Sequence, residues 1–179
     1  NNIADFQALI NNKCVPLPLL LDSSDPLTPY VSPKELRDCF QYNDVDAFIA
    51  LDYASNLCPL EEYYSICKNF GVKLIYDAAH SFGSINACRL QFCDAAMFSF
   101  DLIKTFTCID GGLIYFKNKE MVPLAKPKRF IGMQQNESKI KMNQRIWEYD
   151  CSQEGWRYHL SNIHAAVGIS QIKRKIEIE

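Results

Sequence analysis

Glycine is scarce in this sequence, at 7 of 179 residues, and no glycine-rich phosphate-binding loop occurs. Neither sign of charge dominates, because 19 Lys and Arg stand against 21 Asp and Glu, for a formal net charge of −2. The one cationic cluster, at 173–175, is typical of a solvated helix face. Nothing in the charge pattern therefore favours nucleic acid or an acidic membrane surface as a partner.

Long apolar runs are also missing. The longest, around 15–21, is interrupted by Pro16 and Pro18 and is too short to span a bilayer. The first residues lack the basic and apolar regions of a signal peptide. The sequence therefore predicts a soluble, cytoplasmic protein that has no contact with a membrane.

The eight cysteines do not form a metal-binding or disulfide pattern. No two of them make a C-x-x-C pair, so no zinc site is predicted. They are scattered through apolar segments, which favours buried free thiols in a reducing compartment.

Strand and helix signals alternate along the chain. Hydrophobic residues make up 48% and charged residues 22%, which is typical of one globular domain. Buried strands are predicted at 46–53, 72–76, 95–100 and 113–116. This order predicts an α/β fold with a mostly parallel sheet and flanking helices. In such folds ligands bind at the carboxyl ends of the strands.

Helix boundaries are marked by local signals. Ser32, Pro33 and Glu35 form a capping box with proline at the first helical position. A second helix begins at Pro59 and stops at Gly71. Its predicted face is Leu60, Tyr63, Cys67 and Phe70, and that of a last helix over 161–179 is Ile163, Ala166, Val167 and Ser170. The polar stretch 120–151 is predicted to be surface loop with short helices.

Three polar residues follow or end predicted strands at one rim of the sheet: Asp77, Ser99 and Lys104. Each has a structural alternative. The carboxylate of Asp77 is typical of an N-cap for the next element, and a lysine in a loop is usually solvated. Composition and periodicity leave both alternatives open.

Two adjacent motifs resemble the DegT/DnrJ/EryC1/StrS family of nucleotide-sugar aminotransferases. Residues 76–83, Y-D-A-A-H-S-F-G, are similar to that family's E-D-A-A-Q/H-x-x-G segment. Residues 98–112 contain F-S-F, Lys104 and D-G-G, similar to the family's F-S-F-x-x-x-K…E-G-G. Further along, 155–166 resembles G-x-N-Y-R-M-S…A-A, so the matches run in order along nearly the whole chain.

The resemblance implies a cofactor, pyridoxal 5′-phosphate (PLP), and a role for each matching residue. Lys104 takes the position of the catalytic lysine that binds the cofactor aldehyde. Asp77 matches the carboxylate that pairs with the pyridine nitrogen, and Ser99 matches the hydroxyl that binds the phosphate. His80 stands where relatives carry Gln or His near the ring hydroxyl. We expect Asp77, Ser99 and Lys104 to converge on one cavity.

The resemblance also implies a domain, a reaction and an assembly. Residues 1–179 would be the large-domain core of a fold-type-I PLP enzyme, without the family's N-terminal segment and C-terminal small domain. The reaction would move an amino group from an amino acid, with glutamate as the expected donor, to a nucleotide-linked keto-sugar in surface-glycan or amino-sugar biosynthesis. The expected assembly is a homodimer.

Two departures from the family pattern affect the expected site. Arg157 replaces the asparagine that reaches the phosphate from the neighbouring subunit, and arginine can keep that role. His159 replaces the family's arginine and is a candidate substrate contact. Two alternatives remain open: a silent remnant or binding module of the same fold, and a PLP-dependent sugar dehydratase. In dehydratase relatives histidine replaces the lysine, so Lys104 argues against the second.

Overall fold

A four-stranded sheet forms the centre of the computed structural model, which describes residues 3–19, 28–84, 87–134, 150–151 and 153–178. Its strands, in spatial order, are β1 (Ala47–Leu51), β2 (Lys73–Asp77), β3 (Ala95–Ser99) and β4 (Gly112–Phe116). The first three are parallel, and β4 runs antiparallel to β3. The predicted mostly parallel sheet is confirmed.

Helices flank this sheet and extend beyond it. They are α1 (Ile3–Asn11), α2 (Pro33–Tyr42), α3 (Leu60–Phe70), α4 (Met121–Lys128), α5 (Asn162–Lys173) and α6 (Lys175–Ile178). A 3₁₀ helix covers Ala87–Phe92, and β5 (Met133–Gln134) pairs with β6 (Asp150–Cys151). Within the described ranges, none of the helices is long and apolar enough to cross a membrane.

The boundaries of α2 and α3 follow the predicted signals. The hydroxyl of Ser32 accepts the Glu35 amide at 3.2 Å, and the Glu35 carboxylate accepts the Ser32 amide at 3.1 Å. This reciprocal pair satisfies two amides that the first turn leaves open. At the C-terminal end of α3, Gly71 takes a φ of 73°, the left-handed conformation that glycine adopts without steric cost.

The core lies between the sheet and the helix pair α2 and α3. Leu36 of α2, Leu60 and Tyr63 of α3, and Leu74 and Tyr76 of β2 are all fully buried. Each large apolar side chain buried in this way contributes roughly 1.5–3 kcal/mol. The Tyr63 hydroxyl donates a hydrogen bond to the carbonyl of Val31, so its one polar group is satisfied.

Several predicted faces differ from the structure. On α3, Ile66 is buried and Phe70 is exposed, although the Phe70 ring still packs edge-to-face on Phe40 at a centroid distance of 5.8 Å. In α5 the buried residue is Gly168 rather than Ile163, Ala166, Val167 or Ser170. The helix approaches its neighbour through its smallest residue, which an apolar pattern does not reveal. Helix α1 was not predicted at all. Of the polar stretch, 135–149 lies outside the described residues.

The cysteines are all free, and four of them are buried: Cys58, Cys67, Cys93 and Cys108. The prediction of buried thiols is wrong for Cys14, Cys88 and Cys151, which are exposed. They lie in segments that do not face the core.

Buried thiols make the fold sensitive to alkali. Burial, followed by the charge of Asp94, raises the pKa of Cys67 from 9.0 to about 12, and burial raises that of Cys93 to about 11. In the unfolded chain these thiols lose their protons at a lower pH than in the folded chain. The stability that the two thiols contribute is therefore complete below about pH 9 and is lost as pH rises through their pKa values in the folded protein. Between about pH 8 and pH 10.5, we expect each to lower the free energy of unfolding by on the order of 2 kcal/mol.

Urea unfolding at the two pH values, under reducing conditions, measures this loss. The variant Cys67→Ala should lose less stability on going to high pH, whereas Cys14→Ala, at an exposed position, should behave as the unsubstituted chain does. Equal losses in both variants would show that the Cys67 thiol is not responsible.

Candidate active site

The carboxyl ends of the three parallel strands meet at one edge of the sheet. Asp52 follows β1, Asp77 ends β2 and Ser99 ends β3. The register places Leu51 beside Asp77 and Asp77 beside Met97, so the ends of β1 and β2 are level and β3 continues two residues further, to Ser99. This is the edge at which parallel sheets bind ligands.

A cavity of about 260 Å³ opens at this edge. Its walls come from the loop after β1, the turn after β2, the end of β3 and the loop after β3. The lining residues are Ala54, Ser55, Ala79, His80, Phe82, Ser99, Ile103, Lys104, Thr105 and Phe106. Three of the six predicted site residues, His80, Ser99 and Lys104, therefore share one cavity.

Lys104 lies in the loop of a hairpin between β3 and β4. The loop is closed at its base, where the Phe100 amide donates to the Gly111 carbonyl and the Cys108 amide donates to the Phe100 carbonyl, both at 2.9 Å. The Lys104 amide donates to Asp101 at 3.0 Å. Among the described residues, no carboxylate lies within 4 Å of the Lys104 amine. The half-buried amine is thus presented to the cavity without an ion-pair partner from these residues.

The D-G-G segment that closes this hairpin needs its glycines. Gly111 has a φ of 114°, which side chains rarely tolerate. A Cβ on Gly112 would come within 2.6 Å of the Phe98 carbonyl oxygen on the paired strand. The two glycines therefore allow the backbone to turn and return close beside β3, which fixes where the lysine loop begins and ends.

Ser99 has its hydroxyl proton available for a ligand. Its oxygen accepts the Asp101 amide at 3.3 Å. A hydroxyl that accepts through a lone pair still has its O–H to donate. At the end of β3, that donor lines the same cavity as Lys104.

His80 is held in one orientation by the loop after β1. The Ala54 amide donates to its Nδ1 at 3.2 Å, and the Ser55 hydroxyl donates to its carbonyl at 2.7 Å. Because Nδ1 accepts a hydrogen bond, the proton of the neutral imidazole lies on Nε2. His80 therefore offers an N–H donor to the cavity that it lines.

Asp77 is not among the residues that line this cavity, and its convergence with Ser99 and Lys104 stays a prediction. Its side chain is only 1% exposed, and its Oδ1 accepts the Ala79 amide at 3.0 Å. The carboxylate thus accepts a backbone amide of the turn that follows β2, which is the kind of contact that the capping alternative predicts. Ala79, whose amide makes this bond, lines the cavity.

An aromatic cluster under the cavity was not identified from the sequence. The Phe82 ring makes edge-to-face contacts with Phe98, Phe100 and Phe106 at centroid distances of 5.6, 5.0 and 5.7 Å. Such pairs stabilise by about 0.5–1.5 kcal/mol beyond burial. The F-S-F pattern was the available signal, because Phe98 and Phe100 flank Ser99 and alternation along a strand puts both on the face opposite to it. The cluster joins the His80 turn to the Lys104 loop.

Arg157 and His159 lie outside this cavity. Arg157 is exposed and bridges to Phe130 in an antiparallel pair. The His159 ring packs edge-to-face on Phe130 at 4.8 Å, and its Nδ1 is buried without a hydrogen-bond partner in the described residues. Within that same part of the chain, no group of three or more His, Cys, Asp or Glu is arranged to hold a metal ion.

The fold is that of the sugar aminotransferases. Helicobacter pylori PseC, an aminotransferase involved in the biosynthesis of pseudoaminic acid, superposes with a TM-score of 0.81 at 22% identity, over 99% of this chain and 45% of that one. The PLP form of the putative sugar aminotransferase Spr1654 from Streptococcus pneumoniae gives 0.74 at 17% identity, over 99% and 47%.

Sequence comparison gives the family directly. The DegT/DnrJ/EryC1/StrS aminotransferase family matches residues 2–178, and the chain belongs to it. A UDP-4-amino-4,6-dideoxy-N-acetyl-beta-L-altrosamine transaminase of Campylobacter jejuni serotype O:23/36 is 29% identical over 133 residues. That alignment covers 73% of this chain and 33% of the relative, so the chain spans about a third of the relative's length.

Proposed function

We propose that this chain carries the lysine-bearing part of the PLP site of a nucleotide-sugar aminotransferase. The observation that carries the proposal is the shared cavity of His80, Ser99 and Lys104 at the carboxyl edge of the sheet. The proposed reaction moves an amino group from an amino acid, expected to be glutamate, to a nucleotide-linked keto-sugar. Membership of the aminotransferase family and similarity to a UDP-sugar transaminase support it.

The residues present fit PLP. The cavity is close to the lower end of ligand-site volumes, about 300 Å³, and it presents an amine, a hydroxyl and an imidazole N–H. When bound, PLP supplies an aldehyde and an electron-accepting ring. Lys104 would bind the aldehyde, Ser99 would donate its O–H to the phosphate, and the Nε2–H of His80 would donate to the ring hydroxyl.

Lys104 has two tasks in this proposal. The first is to attack the aldehyde as a nucleophile, and the described residues place no carboxylate within 4 Å of the Lys104 amine. The second is proton transfer: the same amine would take a proton from the α-carbon of an amino donor held at the cavity. Both tasks require the hairpin loop to keep the amine at the cavity.

Asp77 would hold a proton on the pyridine nitrogen. A buried carboxylate suits this task because its negative charge stabilises a nearby cation most strongly where water is excluded. Asp77 is buried at the carboxyl end of β2, two residues before Ala79, which lines the cavity.

A second cavity of about 320 Å³ adjoins the first and supports a substrate site beside the cofactor. It shares His80 and Thr105 with the first cavity and is otherwise lined by Gly83, Ser84 and Ile178. Donor and keto-sugar would enter from this side. His159 stays a predicted substrate contact, and it lines neither of these two cavities.

We also propose a cytoplasmic homodimer in which Arg157 reaches the phosphate in the partner's site. The exposure of Arg157 outside its own cavity supports this arrangement. The assignment of residues 1–179 to a large-domain core stays a prediction.

Borohydride reduction tests the proposed function. The purified chain, mixed with PLP, should develop visible absorbance that is lost on reduction, and peptide mapping should locate the covalent label on Lys104. The other lysines of the chain are the internal control. Absence of label, or label scattered over exposed lysines, would favour the silent remnant or binding module.

A further inference from the structure

Asp52 is a fully buried carboxylate that the proposed chemistry does not use. It follows β1 and has an exposed fraction of 0%. Its Oδ1 accepts the Cys58 amide at 2.8 Å and lies 3.9 Å from a guanidinium nitrogen of Arg89. Its Oδ2 accepts the hydroxyl of Ser81 at 2.7 Å and that of Tyr76. A buried carboxylate is tolerated only when it is paired and hydrogen-bonded in this way.

We propose that Asp52 is a positioning residue that holds His80 in place at the cofactor cavity. This inference rests on the proposed function for its consequence, the binding of PLP. The Asp52 carboxylate is hydrogen-bonded to both of the loops that hold the His80 imidazole, the loop after β1 and the turn after β2.

The first of these loops is fixed at both of its ends. It leaves β1 at Asp52 and returns to the Asp52 carboxylate through the Cys58 amide. Between these points lie Ala54 and Ser55, which line the cavity and donate hydrogen bonds to His80. The carboxylate therefore sets the position of the two donors that orient the imidazole.

The second loop is the turn that carries His80 itself. Ser81 is the next residue and is 1% exposed, and its hydroxyl donates to Asp52 across a separation of 29 residues. A displacement of this turn would move His80 away from the Ala54 amide. Nδ1 would then lose the donor that keeps the proton on Nε2.

The other two partners of Asp52 are the Tyr76 hydroxyl, which donates a hydrogen bond to it, and the Arg89 guanidinium, which lies 3.9 Å away. The Tyr76 hydroxyl remains protonated, because burial and then the hydrogen bond to Asp52 raise the pKa of Tyr76 well above its ordinary value. The Arg89 guanidinium lies 5.5 Å from the centre of the Tyr76 ring and donates to the Cys58 carbonyl at 2.9 Å.

The rival explanation is that Asp52 only stabilises the fold. Tyr63→Phe provides the matched control, because it removes another buried hydrogen bond, to the Val31 carbonyl, away from the cavity. Ser81→Ala removes the bond between Asp52 and the His80 turn. Both variants should unfold at similarly lower temperatures, but only Ser81→Ala should affect His80.

Nitrogen NMR of the chain labelled at its three histidines reads the tautomer without cofactor, and a titration with PLP gives the dissociation constant. We expect a single Nε2–H form of His80 in the unsubstituted chain and in Tyr63→Phe. In Ser81→Ala we expect mixed tautomers and a dissociation constant for PLP raised about tenfold, the loss typical of one hydrogen bond to a charged group.

The results distinguish a positioning role of Asp52 from a purely structural one. An unchanged His80 tautomer in both Ser81→Ala and Asp52→Asn, with lower stability, would overturn the proposal and leave Asp52 a structural residue. Asp52→Asn is included because it keeps the side-chain shape while removing the charge. A tautomer that changes in a chain that fails to bind PLP would uphold the positioning role and refute the proposed function.

Discussion

Replacing Lys104 with alanine is expected to abolish amino transfer while leaving the fold intact. The loss should be at least about 10³-fold, because in the proposed function one amine both binds the cofactor and moves the proton. The neighbouring residues 101–103 and 105–107 offer no second amine. Stability should change by less than about 0.5 kcal/mol, since the hydrogen bond of Lys104 to Asp101 is made by the backbone and survives the substitution. Initial rates with an amino donor and a keto-sugar measure the first effect, and urea unfolding measures the second.

Lys117→Ala is the matched control. This substitution also removes one amine, but the Lys117 ammonium donates to the Tyr64 hydroxyl at 2.7 Å and to the Gln91 carbonyl at 2.6 Å, outside the cavity. It should lower stability and leave the rate of amino transfer unchanged. Normal turnover by Lys104→Ala would refute the proposed mechanism at its centre.

Asp77→Asn is expected to slow turnover by roughly 10²- to 10⁴-fold while still allowing Lys104 to bind PLP. An amide cannot stabilise a proton on the pyridine nitrogen as a carboxylate does. Its side-chain oxygen can still accept the Ala79 amide, now at 3.0 Å from Asp77, so the turn should be preserved. Visible absorbance reports the covalent bond to Lys104, and single-turnover kinetics report the chemistry.

Asp110→Asn makes the same chemical change at an exposed position in the hairpin. The carboxylate of Asp110 accepts the Gly111 amide at 2.7 Å, and asparagine can keep that bond. This control should retain both cofactor binding and turnover. If Asp77→Asn turned over as fast as Asp110→Asn, Asp77 would be a capping residue and nothing more.

The parts of the fold that the sequence predicts are those with a local cause. The cap at Ser32 and the stop at Gly71 each depend on residues within one helical turn. Strands β1 to β3 follow from apolar runs of the right length. Ser99 and Lys104 were found because they lie in a short motif whose residues share one hairpin.

The rest depends on contacts that no local pattern contains. The apolar run of β4 does not specify that it pairs antiparallel with β3, which makes the lysine loop a hairpin rather than a crossover. A single aspartate after a strand, such as Asp52, gives no sign of partners 24 and 29 residues away. The direction of the Asp77 carboxylate depends on one backbone amide.

The antiparallel pairing of β3 with β4 has a consequence for engineering. Ser99, Lys104 and the glycines that close the loop lie on one continuous stretch of chain, and the bonds at its base join Phe100 to Cys108 and Gly111. Because these parts are contiguous, we expect the stretch to be movable as one unit into another antiparallel hairpin that supplies an aromatic neighbour in place of Phe82. His80 cannot be moved together with this stretch, because Ala54 and Ser55, which orient it, lie in the connection between β1 and β2. A recipient scaffold would therefore gain the Lys104 amine and the Ser99 hydroxyl, while a donor equivalent to His80 would have to be designed separately.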